Sequence, residues 1–370
     1  LLVNSSIFDA KIFSFIAIIK QLVADDYRLK TMLTQKKIPY KISRPLRNYL
    51  IEYEREKPMP IQYRDLLRFN SSIPFFDKEG IDTLWETVLY SQDDMEHIYE
   101  SLKKMYAILK ANGDMSVMKH LLIDRIDLCM YGNTRPFRVR IVNKLNDNFD
   151  YFYIKNADAS RVYGLELEHI LSPNRISYYV DGDTIIEEHI MGIPGDRFIK
   201  NHLQDASLNP TRLAKEFIKF NERCFIRLLG DMHSCNYVVE VIPDFDDVSY
   251  RIRAIDFDQQ SYDGRKQVYM PQFYKQNNAI IKMGMGIITT ESENQYRREE
   301  RALMAHRMRS YRYRIKELGD VSVQDELSTK ANEIELASAL ADHYKHKPFE
   351  DCSNMGELLR VSLRLLLNNS

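Results

Sequence analysis

Cysteine is scarce in this 370-residue chain: Cys129, Cys224, Cys235 and Cys352 are all it has, and no two form a Cys-x-x-Cys pair. That argues against a disulfide framework and against the familiar zinc-ligand spacings, and it points to a reducing, cytoplasmic compartment. A surplus of charge is also lacking. Lys and Arg number 52 against 53 Asp and Glu, a formal net charge of −1, so nothing overall drives the chain toward nucleic acid or an anionic membrane. The apolar run at residues 12–23, "IFSFIAIIKQLV", is interrupted by Lys20. It falls short of the ~20 residues that span a bilayer, and no small-residue cleavage site follows it. It reads as a buried helix, and no membrane association is expected. Internal repeats and low-complexity segments are absent. The remaining composition, 44% hydrophobic and 28% charged, is that of a globular protein, long enough for two or three substructures.

The texture of the chain divides it into residues 1–117, 118–190 and 191–370. The first part reads as a helical extension. "SQDDMEHIYESLKKMYAILKANGD" carries Ser91 as a cap, acidic residues in its first turn, Ile98, Leu102, Met105 and Leu109 at helical spacing, and Asn112-Gly113 as a stop. "KISRPLRNYLIEYEREKPMP" predicts a second helix. From residue 119, "HLLIDRIDLCMYGN", "RPFRVRIVNKL" and "NFDYFYIKNA" are short β-branched and aromatic runs separated by turn residues, which predicts three antiparallel strands. "DASRVYGLELEHIL" predicts a helix, and "RISYYV" and "TIIEEHI" predict a hairpin around Asp181-Gly182-Asp183. Beyond residue 197 helices dominate again, with Leu213, Phe217, Phe220 and Cys224 on one face of the clearest. The fold class is therefore α+β: a small antiparallel-sheet lobe with one packed helix, then a mainly helical lobe.

Two short stretches carry chemistry. "GDMHSCN" sets Asp231 five residues before Asn236, and "AIDFDQQ" places Asp256 and Asp258 after a predicted hairpin. Mg²⁺ takes hard oxygen ligands, often one or two carboxylates together with substrate phosphates. Asn236 and Asp256 can supply such oxygens from the two ends of the hairpin, while Asp231 presents a carboxylate to an acceptor hydroxyl. An Asp-x-x-x-x-Asn loop followed by a metal-holding Asp is the arrangement of kinase-type phosphotransferases. Asp258 reads either as a second metal neighbour or as a structural acceptor. His233 reads as a loop-stabilising residue, and Cys235 as packed inward.

In this order of parts, over residues 119–265, the chain resembles the aminoglycoside phosphotransferase and choline kinase branch of the protein-kinase-like fold. The resemblance implies a bilobal fold and an ATP- and Mg²⁺-dependent transfer of a phosphoryl group to a small-molecule hydroxyl. "YIKNA" resembles the strand bearing the nucleotide-binding lysine, here Lys155. "GLELEHIL" resembles the helix whose glutamate pairs with that lysine, either Glu166 or Glu168. Val162 and Ile170, four residues to either side, favour Glu166. "TIIEEHIMGIPGD" resembles the last small-lobe strand and hinge, so that the backbone of Glu187, Glu188, His189 and Ile190 would face adenine. "LGDMHSCN" resembles the catalytic loop, with Asp231 as the base, and "IDFD" resembles the metal-binding segment. The chain departs from the family at Leu229, where the family usually has His, and in a phosphate loop with Gly132 alone. Those departures keep open a catalytically silent nucleotide- or partner-binding module. The Arg-rich residues 296–316 raise a third reading, nucleic-acid binding; the alternative there is an amphipathic helix whose arginines are internally paired.

Overall fold

The computed structural model describes residues 37–130, 134–244 and 247–368. The apolar run at 12–23 and Gly132 of the phosphate loop lie outside them. Tyr40–Ser370 form one compact unit, separate from Leu1–Pro39, and the following concerns the larger unit.

Helix α1 (Arg44–Glu52) starts where the Ser43 side chain accepts from the Leu46 amide, with a proline in its first turn. The chain then runs beside residues 178–181, where Lys57 donates to the Val180 carbonyl and Val180 donates back to Arg55. Residues 71–89, expected within a helical extension, are instead a hairpin. Strand β1 (Ser71–Phe76) pairs with β2 (Asp82–Leu89), and β2 pairs with β3 (Leu121–Cys129). Local turn chemistry and alternation produce this hairpin. The Asp77 side chain accepts from the Glu79 and Ile81 amides, Gly80 takes φ +77°, and Thr83, Trp85 and Thr87 alternate along β2. The sheet therefore crosses the expected boundary at residue 117.

Strands β4 (Phe137–Asn143) and β5 (Phe149–Asn156) continue the meander, and helix α3 (Ala159–Leu171) leads into the hairpin of β6 (Tyr178–Asp181) and β7 (Thr184–Glu188). Strand order is β1-β2-β3-β4-β5-β7-β6, all antiparallel. Helix α2 (Gln92–Ala111) is capped by Ser91 and stopped by a left-handed Asn112, as its sequence predicts. Its buried Ile98, Leu102, Met105 and Leu109 pack against Phe137, Phe152 and Ile154 on one face of the sheet. The other face carries Lys155.

The second lobe begins with β8 (Ile193–Pro194), helix α4 (Gly195–Asn201) and helix α5 (Pro210–Ile226). Asn209 caps α5, which buries Leu213, Phe217, Phe220 and Cys224. Strands β9 (Tyr237–Pro243) and β10 (Val248–Ala254) join β8 in a three-stranded sheet. Helices α6 (Asn278–Met285), α7 (Thr290–Ser310), α8 (Arg312–Ser322), α9 (Lys330–Tyr344) and α10 (Met355–Asn368) complete it. No disulfide joins the four cysteines, and Cys235, expected inside, is exposed. Among the described residues no helix is long and apolar enough to cross a membrane.

Candidate active site

In an antiparallel ladder, residues directly opposite point to the same side of the sheet. Tyr153 stands opposite Glu187 and Lys155 opposite Ile185, so Lys155 and Glu187 are diagonal neighbours on one face. Their side chains meet, Nζ to Oε2 at 2.9 Å. The carboxylate that holds Lys155 therefore comes from β7 and not from a helix.

The lysine's neighbourhood contains a residue that sequence reasoning missed. Asp158 caps α3 by accepting from the Arg161 amide, which turns the Arg161 side chain in the first helical turn toward the cleft. Arg161 is 1% exposed. Its Nε and Nη2 donate to Glu187, the second at 3.0 Å, and its Nη1 donates to Asp256 at 2.8 Å and to Asp258. Burial disfavours its charge, but Asp258, Glu187 and Asp256 outweigh that and hold the guanidinium firmly protonated. Burial likewise pushes the Glu187 carboxyl up, against the pull of Arg161.

Neither candidate glutamate of α3 touches Lys155, which corrects the expected Lys155–Glu166 pair. At 100° per residue, Glu166 sits about 140° round the helix from Arg161, so it faces away from the cleft. There it accepts from Arg55 Nε at 3.0 Å, Arg314 Nη2 at 2.7 Å, Tyr49 at 2.8 Å and Tyr178. Glu168 shares the row of Arg161 two turns on, but meets Arg227 in a buried ion pair. Between them Gly164 packs on the buried Phe257: a Cβ there would lie 2.9 Å from the Phe257 Cβ and 3.3 Å from that of Gln260. Gly164→Ala is therefore expected to cost about 1–3 kcal/mol, the usual range for overpacking, read as a lower urea midpoint at unchanged slope.

The loop of Asp231 and Asn236 is pinned to the Asp256 segment by backbone bonds: Gly230 donates to Gln259, Ser261 to Leu228, and Ile255 to Asn236. Leu229, where the resembling family has His, is fully buried in the core and keeps the loop in place by packing. Asp231 takes a left-handed backbone, φ +61°, a conformation that Asp and Asn tolerate better than most residues. Asn236 Nδ2 donates to the Asp231 carbonyl at 2.8 Å and to its carboxylate at 3.3 Å, so its Oδ1 is the end that could hold a metal. The His233 ring accepts from the Cys235 amide, a loop-stabilising role. Burial first, then the charges of Asp256 and Asp258, push the Asp231 carboxyl up to about 7. Burial and Asp258 also raise Asp256.

Of the expected hinge residues, Glu187 and Glu188 lie within the β7 ladder, and the Glu188 side chain accepts from Ser177 and Lys110. His189 and Ile190 stand outside it; the His189 ring meets the Tyr153 hydroxyl at 3.1 Å, and Ile190 is buried. Among the described residues no group of three or more His, Cys, Asp or Glu side chains is gathered as a metal site. Asn236, Asp256 and Asp258 nevertheless present hard oxygens. Among the described residues, Lys155 and Arg161 ion-pair with three carboxylates, those of Glu187, Asp256 and Asp258, and the Asp231 carboxyl lies close enough to feel both aspartates. That excess of acid is of the kind a divalent cation can offset.

The Arg-rich stretch spans α7 and α8, and much of it is internally paired. Arg297 and Arg301 both reach the fully buried Glu222, Arg307 donates to the Leu171 carbonyl, and Arg314 serves Glu166.

No family model and no curated protein sequence matches the chain. Among solved structures it is similar to the autoinhibited serine kinase domain of the giant muscle protein titin, at 12% identity over 66% of this chain and 93% of that one, with a TM-score of 0.29. A structure of titin kinase and its flanking domains is 11% identical over 74% and 61%, also at 0.29. The order of the chain's own elements describes an α+β arrangement: a seven-stranded antiparallel sheet with its packed helices, then a smaller three-stranded sheet followed mainly by helices.

Proposed function

We propose that the chain is a phosphotransferase that moves a phosphoryl group from a Mg²⁺-bound nucleotide to the hydroxyl of a small molecule. The observation that carries this reading is the Asp231–Asn236 loop. Its carboxyl is raised to about 7, held by Asn236, and set beside Asp256. A base near neutrality is suited to accept a hydroxyl proton. In this reading bound ATP supplies the phosphoryl group, and Mg²⁺ supplies neutralising charge at Asn236, Asp256 and Asp258. Lys155 holds phosphate oxygens, Glu187 takes the orienting part expected of Glu166, and the backbone at His189 and Ile190 is the open edge for the base. Within the kinase-like folds, the small-molecule branch is the one whose catalytic-loop and Ile-Asp-Phe patterns this sequence resembles.

A second reading is a silent nucleotide- or partner-binding module. One specific observation favours it: Arg161 already occupies both aspartates with one nitrogen.

Titration calorimetry with ATP, with and without Mg²⁺, separates the roles. Asp256→Asn is expected to weaken Mg²⁺-dependent binding about tenfold or more, a cost of about 1.4 kcal/mol. Glu187→Gln is expected to weaken binding while keeping its Mg²⁺ dependence. Binding that ignores both the metal and Asp256→Asn rejects the metal assignment, and the absence of any ATP binding rejects the nucleotide.

A further inference from the structure

The first turn of α3 puts a guanidinium where a divalent cation and the two aspartates would meet. Arg161 Nη1 donates to both Asp256 and Asp258, so one nitrogen serves the two carboxylates that the preceding reading gives to the metal. We propose that Arg161 is a built-in counter-cation that competes with a divalent ion for Asp256 and Asp258, and that loading the site requires Nη1 to let them go. The inference rests on the metal assignment of Asp256.

Three features support it. Arg161 is 1% exposed, so its charge is poorly screened and a second cation at the same oxygens is repelled. Its other nitrogens, Nε and Nη2, stay on Glu187, so the guanidinium can leave the aspartates without becoming an unpaired buried charge. The rest of α3 is fixed by Glu166 and by the Glu168–Arg227 pair, which confines the change to the side chain and the first turn. Arg161 is thus a positioning and regulating residue whose contacts describe the metal-free site.

The test is Mn²⁺ titration of the full chain without nucleotide. Arg161→Gln is the direct variant. Arg161→Gln with Glu187→Gln removes one buried charge of each sign and so protects the fold. Either folded variant is expected to bind Mn²⁺ about tenfold or more tightly than wild type, because a unit charge a few ångströms from the ligands has gone. Adding Asp256→Asn is expected to abolish that gain. Unchanged or weaker Mn²⁺ affinity in a folded variant overturns the competition, while a wild-type affinity that still falls with Asp256→Asn keeps the metal assignment. No Mn²⁺ binding to any folded protein overturns both. A readout on wild type needs no substitution: amide exchange at residues 159–162 is expected to speed up with bound Mn²⁺, and unchanged exchange in Mn²⁺-loaded protein overturns the proposal.

Discussion

Asp231→Asn is expected to lower phosphoryl transfer by about 10²–10⁴-fold, the usual worth of a positioned general base, with nucleotide affinity nearly unchanged. Asn is the informative replacement. It keeps the size of the side chain and tolerates the left-handed backbone at this position, so the loop survives and only the proton acceptor is lost. Turnover and nucleotide binding measured on the same preparation check it. Equal turnover in variant and wild type sinks Asp231 as the base. The metal-free protein carries a second signature. A carboxyl whose folded pKa is raised to about 7 holds its proton more tightly in the fold than in the unfolded chain. Its contribution to stability is fully present below the ordinary Asp range, near pH 4, and is lost as pH rises to about 7. Asp231→Asn removes that loss, so at pH 8 the metal-free variant is expected to be more stable by on the order of 2 kcal/mol after allowing for solvent screening. At pH 4 the two should unfold alike. Urea titrations at the two pH values give the comparison, and a variant that gains nothing at pH 8 means that Asp231 is not raised.

The largest effect on stability is expected at Glu166. Its carboxylate is fully buried and accepts from Arg55, Arg314, Tyr49 and Tyr178. Burial pushes its pKa up, but Arg314 and then Arg55 outweigh burial and hold it below the usual range. Glu166→Gln keeps the shape and removes the charge, leaving two guanidinium groups uncompensated. Breaking a buried pair from one side costs about 3–5 kcal/mol, and a fall of that size in unfolding free energy is expected. Nucleotide affinity per folded molecule should stay near wild type, because Lys155 is held by Glu187. A stable Glu166→Gln protein that has lost nucleotide binding instead restores the lysine–helix pairing and rejects the cleft described above.

These two residues also show how far the sequence could be read. The caps and turns of α2, α5 and the β6–β7 hairpin are local, and they lie within a few residues of the side chains they govern. The hairpin at residues 71–89 is equally local, with its Asp77-Lys78-Glu79-Gly80 turn, but it is a short element between helices and its pairing to β3 is not. The cleft is different in kind. Arg161 finds its acids 26, 95 and 97 residues away, and no periodicity in α3 announces which row of that helix will face them. The flanking Val162 and Ile170 favour Glu166 for the cleft, but the partners that fix Glu166 and Glu168, Arg314 and Arg227, lie 148 and 59 residues away. The resemblance places the partner of Lys155 on a helix, whereas ladder register delivers it from β7. The spacing of Asp231 and Asn236 was legible because both sit on one short loop.

The Glu166 cluster also bears on synthesis. Tyr49 and Arg55 leave the ribosome long before Glu166, but Arg314 follows it by 148 residues. Throughout that interval α3 has one of its two guanidinium partners and no finished socket for its carboxylate. Contacts of such sequence separation form late, after the entropy of closing a long loop has been overcome. The small-lobe sheet can therefore close around α2 while the chain is still being made, whereas the final seating of α3, and with it the placing of Arg161 in the cleft, waits for α8. A nascent chain halted before residue 314 would expose a half-docked helix, the kind of partly buried apolar surface that holding chaperones take up.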